Sequence, residues 1–185
     1  MSILESLFSI VATTAAVAGI VFAYLQWKKT ELRRDEVFLW SCEVIKSMQS
    51  LAIFCNAKSG DFDDKFMKDK IEKIKIETSI HIEVGRIFFK NTLAYKHGTN
   101  KESAYRGLRP EILDAIVTAH QIAMEWPIST SDRKRMIGIV AQKCVREFVS
   151  LAQKEVGRSR SVSREASQAG QGGGLAARLK RLDGR

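Results

Sequence analysis

The longest uncharged segment of the chain, residues 6–27, constrains the fold more than any other feature; it reads SLFSIVATTAAVAGIVFAYLQW. About 20 apolar residues in a helix are enough to cross a hydrocarbon core roughly 30 Å thick. Backbone groups in lipid have no water to bond, so a single segment of this kind must be helical. We therefore expect residues 1–30 to form an anchor with one transmembrane helix.

The residues that flank this segment predict its orientation. Tyr24 and Trp27 stand at its carboxyl end, where amphipathic rings prefer the headgroup layer. A basic stop follows at once, whereas only Glu5 and the terminal amine precede the segment; the stop consists of Lys28, Lys29, Arg33 and Arg34. The positive-inside rule then places the amino terminus outside and the rest of the chain in the cytoplasm, as a single-pass protein of the inner (cytoplasmic) membrane. Two alternatives are a buried core helix and a cleaved signal peptide, although MSILES lacks the basic region that a signal peptide has.

Small residues recur on one face of the predicted span. Ala15, Gly19 and Ala23 follow one another at intervals of four. Such faces let transmembrane helices approach closely and self-associate, although alanine is also a common filler in membrane helices. The expected partners of this segment are therefore the lipid bilayer and further copies of the same chain.

The remainder of the chain to residue 156 has helical periodicity and predicts an all-α fold. One apolar stripe follows the span at spacings of three and four, with no intervening proline or glycine, so that one long helix is expected to run to residue 56; the stripe is Val37, Trp40, Val44, Met48, Leu51 and Cys55. A helix is also expected over residues 63–89, although IKIETSIHIEV alternates as a strand would. Further helices are expected after Pro110 and from Ser131 to Val156. Residues 31–156 are thus predicted to form a cytoplasmic helical bundle.

The apolar faces of these later helices can also be predicted from spacing. The predicted core faces are Phe66, Ile71, Ile74, Ile80, Val84, Ile87 and Phe88 in the second helix, Ile112, Leu113, Ile116, Val117, Ala123 and Met124 in the third, and Ile137, Val140, Cys144, Val145, Phe148 and Ala152 in the fourth.

The positive charge is concentrated in the flanks of the bundle. The formal net charge is +9, yet residues 35–155 are close to neutral. Residues 157–185 are rich in Ser, Gly and Arg and low in bulky apolar residues, which predicts a disordered basic tail. A tail of this kind suggests an alternative function, a membrane-tethered protein that binds nucleic acid or anionic lipid.

Motifs for metal or nucleophilic chemistry are missing from the sequence. The cysteines form no CxxC pair and the histidines no HxxxH pair, and neither a phosphate-binding loop nor a nucleophile motif occurs. We therefore predict no metal site and no cofactor, and favour a protein that is not an enzyme while leaving the question open. Helical RNases of the HEPN class need an Arg followed after four to six residues by a His. Ten residues lie between Arg86 and His97, and ten between Arg109 and His120, so the usual spacing is missing. An RNase with a divergent site stays an alternative, and its candidate residues are Arg86, His97, Arg109 and His120.

Residues 85–114 hold the densest group of unusual residues. Here GRIFFKN is followed by AYRGLRPEILD, which brings aromatic and basic side chains into one loop. Two interpretations of this loop are open. In the first, it binds a phosphate, or carboxylates of a partner, through Arg86, Tyr105, Arg106 and Arg109. In the structural alternative, which we favour because ion pairs at helix ends are common, Arg86 or Arg109 pairs with Glu83 or Asp114 and only fixes the corner.

The pattern G-R-x-F-F-x-N, then A-Y-R-G-x-R-x-x-I-L-D, behind one span and a basic stop, resembles a group of small bacterial membrane proteins of unknown function. Over residues 1–156 the overall plan is also similar to the membrane-anchored accessory protein of type VI-B CRISPR systems. The resemblance implies assembly into a ring or pore, a role in antiviral defence, and RNA or an RNA-guided nuclease as partner of the basic loop or tail. From these observations together we predict a membrane-anchored accessory or effector protein that self-associates.

Overall fold

The structure is a computed structural model that describes residues 3–58, 60–92 and 98–157. Four helices make up most of it: α1 (Ile3–Cys55), α2 (Asp64–Phe88), α3 (Glu111–Glu125) and α4 (Ser131–Val156). Short 3₁₀ turns lie at Ser103–Tyr105 and Trp126–Ile128. The described ranges contain no strand, only an isolated antiparallel bridge between Thr92 and Leu108. The predicted all-α bundle is confirmed, and the segment that alternates like a strand is helical.

Helix α1 is continuous over 53 residues, which corresponds to a length of about 80 Å. Every residue from 10 to 30 is exposed, whereas the predicted stripe from Val37 to Cys55 is buried at all six positions. The first half therefore has no cover from the rest of the described chain, and the second half is a core helix. Near its amino end, α1 is long and apolar enough to span a membrane.

The second half of α1 packs in a four-helix bundle. It lies against α2 and α4, while α3 packs between α2 and α4 on the opposite side. The core includes Cys55 and Cys144, and burial raises the pKa of both thiols, that of Cys55 to about 12. These two cysteines are therefore inert core residues at neutral pH.

The buried faces of the later helices differ in part from the prediction. Ile80 and Ile87 of α2 are exposed, because these two residues, seven apart, lie on the side of the helix opposite its buried face. The buried face of α2 instead consists of Ile71, Ile74, Thr78, Ile82 and Gly85. Of the other predicted core residues, Phe66, Met124 and Val140 are exposed as well.

Gly85 lies where side chains of α1 and α3 pack closely against the backbone of α2. A Cβ at this position would be 2.5 Å from Leu113 Cδ2 and 2.7 Å from Trp40 Cζ2. Trp40 in turn contacts the rings of Phe88, Phe89 and Phe148, with centroids 5.9, 5.6 and 5.7 Å away. Phe88 and Phe89 therefore both pack on the core beside this tryptophan.

Contacts of Arg33 define which end of the bundle faces the apolar half of α1. Its Nη2 donates to the carbonyl oxygen of Phe88 at 3.1 Å and lies 3.2 Å from Glu155 Oε1. The carboxyl ends of α2 and α4 therefore lie beside residue 33, only six residues after Trp27. We call this the span-proximal end, after the predicted span in residues 6–27. The connections at 56–63 and 126–130 form the distal end.

Candidate functional site at the span-proximal end

Residues from α1 and α2 form a shallow groove at the span-proximal end, with a volume of about 480 Å³. Its charged lining residues are the cations Lys28, Lys29 and Arg33 and the carboxylate of Glu36. Its apolar lining includes Leu25, Leu32 and Ile87. We call it the span-proximal groove. The predicted basic stop thus supplies three of its four residues to one surface feature.

Arg33 connects this groove to the rest of the bundle. It bonds a carbonyl oxygen at the carboxyl end of α2, where the last carbonyls lack helical partners and the helix dipole is negative. It also pairs with Glu155 in the last turn of α4. The guanidinium of α1 therefore contacts the carboxyl ends of both α2 and α4.

The next group of predicted binding residues surrounds Glu83. The Arg86 guanidinium lies over the Tyr105 ring, 4.4 Å from its centroid, and Arg86 Nε is 3.4 Å from a Glu83 oxygen. The Tyr105 hydroxyl donates to Glu83 Oε2 at 2.7 Å, and this hydrogen bond raises the pKa of the tyrosine. Arg86 and Tyr105 thus both contact the Glu83 carboxylate. The contact of Arg86 with Glu83 is the one that the structural alternative for this loop predicts.

The other two arginines of the loop are also engaged. Arg109 Nε lies 2.9 Å from Asp114 Oδ1, an ion pair in which the N–H does not point at the carboxylate. Arg106 Nε donates to the carbonyl oxygen of Lys101 at 2.7 Å. These contacts fix the path of the loop, and binding by its arginines stays a prediction.

The catalytic candidates do not come together among the described residues. His97 lies outside them. His120 Nδ1 is 3.1 Å from Thr78 Oγ1 and 3.1 Å from the carbonyl oxygen of Lys75, near the middle of α2. Thr78 precedes Arg86 by eight residues, or about 12 Å along the helix. His120 is similarly about 13 Å along α3 from the start of that helix beside Arg109. Among the described residues, neither Arg86 nor Arg109 is therefore paired with His120, and an RNase stays an untested alternative.

Sequence reasoning missed a polar cluster between α1 and α2. Ser47 Oγ donates to Glu77 Oε2 at 2.8 Å and lies 3.3 Å from His81 Nε2, at the side of a groove of about 580 Å³. Burial lowers the pKa of His81, against the opposing effect of Glu77 and Glu43, so the ring is neutral at pH 7. The carboxylate here contacts the serine and not the histidine, unlike a nucleophile with an oriented base. Only the i,i+4 spacing of Glu77 and His81 could have indicated this cluster.

Comparison with family models, with curated proteins and with solved structures gives no match to this chain. The resemblance to small bacterial membrane proteins and to the type VI-B accessory protein therefore stays a prediction.

Proposed function

We propose that this protein is a single-span membrane protein that holds a four-helix cytoplasmic domain against the bilayer and acts by self-association. The observation that carries the proposal is the continuity of α1, since one helix supplies both the uncovered apolar segment and a wall of the bundle. A continuous helix is a stiff connection, so any arrangement of spans in the membrane also arranges the domains below it.

The lengths along α1 agree with this proposal. Residues 6–27 in a helix measure about 33 Å, close to the thickness of a hydrocarbon core. Arg33, which ties α2 and α4 to α1, lies only about 9 Å beyond Trp27 along the helix axis. The span-proximal end of the bundle would therefore lie at the headgroups. The flanking charges support an amino terminus outside and a bundle in the cytoplasm.

Self-association is supported by the small-residue face of α1. Ala15, Gly19 and Ala23 are exposed, and a Cβ built on Gly19 meets no atom within 4 Å. In lipid, a second helix can approach such a face closely. As the resemblance implies, we extend the proposal to a ring or pore with an accessory or effector role in antiviral defence.

Replacing Gly19 with isoleucine is expected to shift the protein toward monomer, because the branched side chain separates the two helix axes. The measurement is the mass distribution in mild detergent by analytical ultracentrifugation, with Ala18→Ile as matched control. Residue 18 lies about 100° from residue 19 around the helix and off the small-residue face. A wild-type protein that is strictly monomeric, or equal effects of both variants, would contradict self-association through this face.

A further inference from the structure

We propose that the span-proximal groove binds the headgroup of an anionic phospholipid of the cytoplasmic leaflet, while Ile87 inserts between neighbouring lipids. The inference depends on the membrane anchor of the proposed function and adds a lipid class and a site to it. It does not depend on self-association.

The first argument is depth. Leu25, Lys28 and Lys29 of the groove belong to the last turn of the apolar segment and the turn that follows it. In a spanning helix these turns lie at the acyl–headgroup boundary. A ligand in the groove would therefore have its apolar part at the level of Leu25 and its polar part at the level of the two lysines.

The second argument is charge. Lys28, Lys29 and Arg33 face the groove against the single carboxylate of Glu36, and both lysines are exposed. Arg33 is committed to the Phe88 carbonyl and to Glu155, so the two lysines supply the charge for a ligand. Cationic side chains next to a span attract the anionic lipids of the cytoplasmic leaflet.

The third argument is the exposure of Ile87. This side chain is 78% exposed although it lies next to Phe88, which packs on the core. Arg33 donates to the carbonyl oxygen of the adjacent Phe88, so this end of α2 lies beside the turns of α1 that follow the apolar segment. An exposed aliphatic side chain next to lysines is typical of a protein surface that inserts into the headgroup–acyl boundary of a membrane.

The insertion of Ile87 can be tested by fluorescence quenching on the full-length protein in nanodiscs that contain an anionic and a nitroxide-labelled phospholipid. An environment-sensitive fluorophore is attached to Ile87→Cys in a Cys42→Ser background, where Cys55 and Cys144 stay buried. The matched control is Ile128→Cys, since Ile128 is 86% exposed at the distal end, about 39 Å away along α4. We expect a large loss of emission at position 87 and none at position 128. Equal quenching by the nitroxide lipid at positions 87 and 128 would overturn the proposal.

The lipid class can be tested with spin-labelled phosphatidylglycerol and phosphatidylcholine. We expect K28Q/K29Q to lower the preference for phosphatidylglycerol, by on the order of fivefold per lysine at most. The matched control is K65Q/K68Q, which removes the same charge from exposed lysines at the distal end and should leave the preference unchanged. Equal losses in both variants would overturn the proposal, since they would reflect net charge alone.

The two tests separate this proposal from the anchor itself. If the protein enters nanodiscs but position 87 is not quenched, the groove proposal fails and the anchor stands. If the protein does not enter nanodiscs at all, both fail.

Discussion

Replacing Val17 with arginine is expected to lower the membrane insertion of this protein about a hundredfold. Val17 lies at the midpoint of residues 6–27, where an arginine costs roughly 2.5–3.5 kcal/mol and a valine is slightly favourable. The same replacement on the surface of a water-soluble helix would cost little. The measurement is the ratio of inserted to released protein after translation in the presence of membrane vesicles.

Ile53→Arg is the matched control for this variant. Val17 and Ile53 lie on the same helix and have similar exposure, 56% and 52%. If the apolar half of α1 is in lipid and the other half in water, only the first replacement impairs insertion. Equal insertion of the two variants would contradict this difference between the halves of α1.

Replacing Trp40 with alanine is expected to lower the free energy of unfolding of the bundle by about 3–5 kcal/mol. The ring fills the space between α1, Gly85 of α2 and Phe148 of α4, and its Nε1 donates to the His81 carbonyl oxygen at 3.2 Å. Removing the Trp40 ring therefore leaves a cavity bordered by α1, α2 and α4 and removes the hydrogen bond to His81. The measurement is urea unfolding of the full-length protein in detergent, followed by circular dichroism.

Trp126→Ala is the matched control for the core. Trp126 is half-buried at the distal end, and its ring faces Lys134 Nζ at 4.4 Å from the centroid. Its indole N–H is buried without a hydrogen-bond partner among the described residues, so the deletion relieves an unpaired polar group as well as removing contacts. We expect less than half the loss seen for Trp40. A larger loss at Trp126 would show that the centre of the core is not at Trp40.

The part of the fold that could be predicted from the sequence depends on uninterrupted local patterns. The stripe of α1 was predicted at all six positions because its spacings of three and four leave only one helical face. Residues 74–84 of α2 fit both a helical and a strand period, and the core face predicted for α2 wrongly included Ile80 and Ile87. Ile87 is instead an exposed apolar side chain, and its exposure requires an explanation.

The candidate site could be predicted only where its contacts are local. The ion pair of Arg86 with Glu83 spans one helical turn and was among the alternatives from sequence. The contacts of Arg33 with Phe88 and Glu155 join residues far apart in the chain, and nothing in the local spacing indicates them. The same holds for Ser47 with Glu77. The groove next to the span therefore emerges only when the bundle is assembled.

Alkaline extraction of membranes distinguishes a protein that α1 holds in the bilayer from one that is only bound to the membrane surface. Washing at high pH releases proteins that are only attached to the surface and leaves those that span the membrane. We predict that the intact chain stays in the membrane pellet and is released only by detergent. Recovery of the intact chain in the aqueous supernatant would contradict the anchor and, with it, the lipid site.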